Sequence, residues 1–302
     1  MQKKHLVLFF ICGCLSQLII GQGSEFSVLR PSDSLHKKRQ KTVILSQISM
    51  TAASLIALDQ LWYKDYQRSG FRFTDDSNDW LRMDKAGHVF SSYQLGRLSG
   101  DAYKWSGSSK KNQLIYGSMY GLAFLTTVEI MDGFSEEWGF SWTDMLANSL
   151  GTGLLVGQEL LWEDQRLVLK YSFSRTQYAQ QRPERLGEGI YEEFLKDYNG
   201  QTYWLSANIN SFLKYAKFPN WLNLALGYGA DGMLTGSPED ANFANQNRVR
   251  QFYLSFDVDL SRIKTNSHFL KTIFSLLNVI KIPLPTLEVN SQGAVTLHYI
   301  YF

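Results

Sequence analysis

The chain has 302 residues, 44% hydrophobic, 14% aromatic and 19% charged, with 30 Lys+Arg against 28 Asp+Glu and a formal net charge of +2. That length buries a full core, and the apolar fraction excludes a disordered or collagen-like chain. A charge balance this close to neutral excludes a nucleic-acid binder, which needs a basic excess against phosphates, while the low charge content keeps a membrane in view.

Lys3 and Lys4 precede an apolar run from Leu6 to Ile20 and the small residue Gly21. Residues 1–22 therefore have the form of a secretory signal peptide, and the expected location is the cell envelope, periplasm or outer membrane. Both cysteines, Cys12 and Cys14, lie inside it, so a chain cut near Gly21 keeps neither a disulfide nor a thiol nucleophile. The stretch Ile11-Cys12-Gly13-Cys14 offers the other outcome, a lipid anchor on Cys14. Residues 23–41 read as a polar linker whose basic end, His36 to Lys41, is either solvated or rests on anionic head groups.

Thr42 to Tyr63 is apolar and long enough as a helix to cross a bilayer. A turn-rich loop follows from Phe71 to Trp80, holding Asp75, Asp76, Asn78 and Asp79. Further helices are expected over about Met83–Asp101, Gln113–Met131 and Trp142–Trp162, and Gly117, Gly121, Ala147, Gly151, Gly153 and Gly157 let their backbones approach closely. Residues 42–164 thus form a bundle of about four helices.

After Gln165 the apolar period changes. Arg250–Leu260 alternates, with Phe252, Leu254 and Phe256 on one side and Tyr253, Ser255 and Asp257 on the other, the pattern of a strand with one greasy face. Leu167–Phe173, Thr202–Asn210, Leu222–Tyr228 and Val295–Tyr301 behave similarly. Gly227–Met233 reads as a turn, and Phe269–Ile280 as an amphipathic helix ended by Pro283 and Pro285. The expected fold is α+β, with residues 165–302 an antiparallel sheet of five or six strands. It is partly open, because the smallest transmembrane barrel needs eight strands; a barrel-like closure is the alternative. The terminal Phe302 is either an edge-strand residue or a feature resembling an outer-membrane sorting signal.

Polar residues recur at helical spacing inside the bundle. Asp84 and His88 flank Lys85 on the second helix, Glu129 and Asp132 sit on the third, and Asp144 and Asn148 on the fourth. Residues three or four apart share a helix face, so the three pairs can meet in one layer. Between Lys111 and Arg166 lie 54 residues with eight acids and no Lys or Arg. Buried carboxylates there need a proton, a metal or a cation from elsewhere, and Lys85, His88 and Arg97 of the second helix are the candidates. Three readings follow: a hydrogen-bonded layer that fixes helix register; a divalent-metal site using His88 with Glu129, Asp132 or Asp144; and acid/base catalysis by His88 oriented by Asp84 or Asp144. The loop from Gly133 to Ser141 has Glu136 and Glu137 but no base, which places it on the outer side of a membrane.

The pattern Asp84-Lys85-x-x-His88, Glu129-x-x-Asp132 and Ser141-x-x-Asp144-x-x-x-Asn148-x-x-Gly151 resembles the YfiM-like domain-of-unknown-function family of predicted periplasmic lipoproteins. More distantly it is similar to VanZ-like membrane proteins, over roughly Trp62 to Gln158, while Lys196–Ser206 looks like the longer members of Bacteroidetes-type envelopes. The resemblance implies an envelope location and a motif cluster, and supplies no reaction. The expected function is an exported envelope protein at the outer membrane or its periplasmic face, structural or binding a lipid or envelope partner. The alternative is an enzyme that acts on a lipid-linked substrate through the His/carboxylate cluster.

Overall fold

A computed structural model describes residues 27–64, 66–213, 218–237 and 247–302; the expected signal peptide and the expected anchor at Cys14 lie outside the described residues. Helix α1 spans Lys37–Leu58 and runs on through a π turn, Asp59–Tyr63. It starts inside the expected linker, because the His36 ring accepts a hydrogen bond from the Arg39 amide and caps the first turn. The basic run Lys37 to Lys41 is thus helix, not linker. Of the residues of α1 only Val43 is buried.

Helix α2 (Met83–Trp105) is the axis of the bundle. Helix α3 (Tyr120–Gly133) is entered through Lys110–Asn112 and a π segment, Gln113–Ser118, and α4 spans Trp142–Leu161. Of the glycines expected at helix contacts, Gly117, Gly121 and Gly151 do let backbones touch, while Gly157 meets nothing within 4 Å. A Cβ on Gly121 would collide with the Ser92 carbonyl of α2, and one on Gly151 with the Val89 carbonyl. Gly153 faces open space. Gly151→Leu should therefore cost on the order of 3 kcal/mol through overpacking, while Gly153→Leu leaves the melting temperature unchanged; equal effects of the two would refute the close crossing.

Two residues on each side, β1 (Phe73–Thr74) and β2 (Phe140–Ser141), pair in parallel and tie the loop before α2 to the turn between α3 and α4. The main sheet has six strands in the order β3-β4-β5-β6-β7-β8: Leu167–Phe173, Gln201–Asn208, Leu222–Asp231, Val249–Val258, Leu284–Asn290 and Val295–Tyr301. Every neighbouring pair is antiparallel. Helix α5 (His268–Leu277) sits in the β6–β7 connection. The mixed architecture is the expected one, helices first and an antiparallel sheet second, not closed into a barrel.

Two details differ from the sequence reading. Strand β7 follows Pro283 and contains Pro285, which lies at the register shift between Leu284 and Thr286, where a missing N–H is tolerated. The glycines at 227 and 229 lie inside β5 rather than in a turn; a Cβ at Gly227 would press on the Trp204 ring at 2.8 Å.

The sheet is reversed relative to that of a water-soluble protein. Its inner face carries Lys170, Trp204, Ser206, Asn223 and Asp257, all buried. Its outer face carries Leu226, Phe252, Leu254 and Phe256, which are 57%, 50%, 42% and 54% exposed. Inside, Lys170 Nζ and Asp257 Oδ2 are 2.7 Å apart, and Ser206 Oγ donates to the same carboxylate at 2.6 Å. Tyr301 of β8 reaches across to within 3.0 Å of Thr202 Oγ1 of β4, so the sheet curls around this polar interior. A single parallel bridge, Tyr171 with Ile280, attaches the approach to β7 to the free edge of β3. The bundle covers part of the outer face: Phe90 of α2 packs on Tyr171 and Tyr203 at 5.6 and 5.5 Å between ring centroids, and Met83 packs beside Ala230, Tyr203 and Tyr228.

Candidate functional site

Three consecutive residues before α2, Trp80, Leu81 and Arg82, have φ of +49°, +51° and +70°. Left-handed backbone at non-glycine residues is strained, so the surroundings must hold it. The Trp80 amide donates to the Gly236 carbonyl at 3.0 Å, and the Tyr228 hydroxyl donates to the Leu81 carbonyl. This turn launches α2 so that Asp84 and His88 face a cavity of about 620 Å³, bounded also by Trp62, Trp138 and Tyr198.

Lys85 is the centre of the cluster. Its Nζ lies 2.6 Å from Asp76 Oδ1, 2.9 Å from Asp84 Oδ2 and 2.8 Å from Asp144 Oδ1. Burial alone would lower its pKa, but Asp84 and Asp144 outweigh burial and hold the ammonium above its usual range. Burial pushes Asp84 up to about 6 against the pull of Lys85. It also raises Asp144, with His88 and Lys85 opposing. Asp76 goes the other way: burial is outweighed by hydrogen bonds from Lys85 and Ser141, and its carboxyl falls below the usual range.

Ser141 joins three segments. Its Oγ caps α4 by accepting from the Asp144 amide at 3.1 Å and donates to Asp76 Oδ1 at 2.6 Å, while its own amide donates to Glu129 Oε2 at 3.2 Å. His88 Nδ1–H donates to Asn148 Oδ1 at 3.0 Å, which leaves Nε2 turned toward Asp144 Oδ1 at 3.7 Å. Nδ1 also lies 3.7 Å from Glu129 Oε1. Glu129 is almost fully buried, and its Oε1 accepts no hydrogen bond.

The residues read from the helical spacing do meet. Asp84, Lys85 and His88 of α2, Glu129 of α3, and Asp144 and Asn148 of α4 form one connected cluster. Asp132 lines the same cavity, but its Oδ1 accepts from the Tyr63 hydroxyl at 2.6 Å and it does not join His88 in a metal-sized grouping. Arg97 is no part of the cluster: it donates to Gln94 and Ser275 and pairs with Asp101. Nine residues along α2 from His88, it stands about 13 Å away.

Sequence reasoning left two cluster members unassigned. Asp76 is one acid among several in a turn-rich loop, and the short β1–β2 pairing, which has no periodic signature, swings it over Lys85. Tyr63 ended a helix with no hint that its hydroxyl would meet α3. The Ser141-x-x-Asp144 spacing was a usable signal for the cap.

A family model described as "Predicted periplasmic lipoprotein (DUF2279)" matches residues 69–157. That segment runs from the loop before β1 to near the end of α4 and contains every residue of the cluster apart from Tyr63. The match agrees with the signal-like N-terminus and places the protein in the cell envelope, on its periplasmic side. No curated protein and no solved structure matches the chain.

Proposed function

We propose that the protein sits in an envelope membrane and receives the polar head of a lipid or lipid-linked molecule in its acid-rich cavity. The observation that carries this reading is the reversed sheet, whose buried face is polar and whose bare face is apolar. In water, that arrangement would expose greasy surface while sequestering charge; facing acyl chains, each group meets a matching medium. Lys37–Tyr63 and Lys110–Gly133 are long and apolar enough to cross a bilayer, at 27 and 24 residues. Lys37, Lys38, Arg39, Lys110 and Lys111 gather at one end of them, where anionic head groups would be met. The cavity lies at the other end, with its carboxylates, tryptophans and tyrosines suited to a hydroxyl- or amine-bearing head group.

Washed membranes should retain the protein until detergent is added, and recovery in the soluble fraction would defeat the reading. A sharper test is Leu226→Lys. On a surface facing water such a change is worth within about 0.5 kcal/mol. On a lipid-facing strand near the bilayer midplane it costs about 2–4 kcal/mol, visible as poor membrane insertion and a lower melting temperature in detergent.

A second reading, an enzyme acting on the same head group, is favoured by His88. Its ring is held by Asn148 while Nε2 faces the cavity beside Asp144, the arrangement of a general acid or base. It requires His88→Ala to abolish the cellular phenotype at an unchanged melting temperature; a functional variant would discard it.

A further inference from the structure

Glu129 is buried to 1% exposure on a helix with an apolar outer face, yet one of its two oxygens is unused. Oε2 accepts from the Ser141 amide, whereas Oε1 accepts no hydrogen bond and has the His88 ring as its polar neighbour. A buried carboxylate oxygen without a partner costs the protein stability unless something binds there. One ligand atom each from His88, Glu129 and Asp144 lies within 4.8 Å of the others, a spacing that a single ion can bridge.

We propose that His88, Glu129 and Asp144 bind one divalent transition-metal cation of the Zn²⁺ or Mn²⁺ class, leaving a coordination position open to the cavity. One imidazole nitrogen with two carboxylates is a donor set for those ions rather than for Ca²⁺ or Mg²⁺, which take oxygen alone. The contact between the His88 ring and Asn148 is the supporting hydrogen bond that fixes the orientation of a ligating ring, with Glu129 and Asp144 each 3.7 Å from one of its nitrogens. Charge points the same way. Asp76, Asp84, Glu129, Asp132 and Asp144 crowd one region, and Lys85 is the lysine among them. Arg185 and Lys196, which line the cavity, are engaged: Arg185 pairs with Glu137 at 2.5 Å and Lys196 with Glu192 at 3.3 Å. A second carboxylate grouping, Asp76 with Asp84 and Asp144, is compact enough for an ion, but Lys85 already fills its centre. Three protein ligands and an open position are the layout of a catalytic rather than a structural ion, and the open position would take water or an oxygen of the bound head group. The assignment does not depend on the apolar face lying in a bilayer.

The test uses the full chain purified in detergent, stripped with a chelator and titrated with Zn²⁺ and with Mn²⁺ by calorimetry, alongside metal analysis. The expected result is about one ion per chain. Glu129→Gln and His88→Gln should each weaken binding by at least about tenfold, the scale seen for loss of even an outer-shell partner, and Asp132→Asn should leave it unchanged. Wild-type protein that binds neither ion, or Glu129→Gln protein that binds as wild type does, overturns the proposal. Binding of Mg²⁺ or Ca²⁺ alone overturns the imidazole ligand. If a variant fails to fold, visible absorption of the Co²⁺-loaded wild type decides: bands of a low-coordinate nitrogen-ligated ion support the site, and the spectrum of aqueous Co²⁺ overturns it.

Discussion

Lys85→Met should lower the stability of the protein by about 3–5 kcal/mol, the cost of removing one partner from a buried ion pair and stranding the other. Here three partners are stranded, because Asp76, Asp84 and Asp144 all lie within 2.9 Å of Nζ. The loss should depend on pH in a defined direction. Asp84 is held at about 6, above the ordinary value near 4, so it binds its proton more readily folded than unfolded. Its contribution to stability is whole below about pH 4 and is lost as pH rises through about 6. Without Lys85 the three carboxyls are pushed higher still, and the folded state prefers protons even more. The gap between wild type and variant should be widest near pH 8 and narrow toward pH 4, followed as melting temperature in detergent. A gap of constant size would mean that Lys85 acts by packing alone.

Asp257→Asn should cost a similar amount, about 3–5 kcal/mol, although Asp257 lies inside the curled sheet and does not line the cavity. Asn keeps the shape of Asp and can still bond the Ser206 hydroxyl or the Ile282 amide, so the change isolates charge. It leaves Lys170, fully buried, with the Val258 carbonyl at 2.8 Å and no anion. Lys281 suffers too: burial, with Lys170 nearby, already presses it down to about 8, and Asp257 is what holds it up. A double variant, Lys170→Met with Asp257→Leu, should recover most of the loss, since an apolar pair of similar volume avoids both desolvation penalties. If the double variant is no better than Asp257→Asn, the pair is not what stabilises the interior.

Much of the helical half was legible because it rests on local chemistry. The spacing of Asp84 and His88, of Glu129 and Asp132, and of Asp144 and Asn148 sets a face on each helix, and glycines at 121 and 151 let those faces approach. What spacing does not contain is the rotation of one helix about another. Asp132 shares a face with Glu129, but it is turned toward α1 and Tyr63 instead of His88. Asp76 could not be placed either, since a loop has no period and its position follows from pairing Thr74 with Ser141. In the sheet, the alternation of Phe252, Leu254 and Phe256 with Tyr253, Ser255 and Asp257 marks two faces without telling which is inside. That choice depends on the surrounding medium, which periodicity cannot encode. β7 escaped notice because Pro285 argues against a strand wherever no bulge is foreseen.

The order of the six strands along the sheet is their order along the chain, and this has a consequence for how the molecule is made. Each strand pairs with the one that immediately precedes it, so assembly can proceed by successive addition as the chain emerges, and the entropy of loop closure grows only slowly with each connection. The bridge between Tyr171 and Ile280 is the exception, joining segments far apart in sequence. It can form only after three strands, β4 to β6, have followed β3, and then closes the curl over Lys170 and Asp257. The buried ion pair is thus assembled late, with Asp257 arriving on the fourth strand of the series. A chain stalled before that point would hold Lys170 without the carboxylate that pairs with it in the finished sheet.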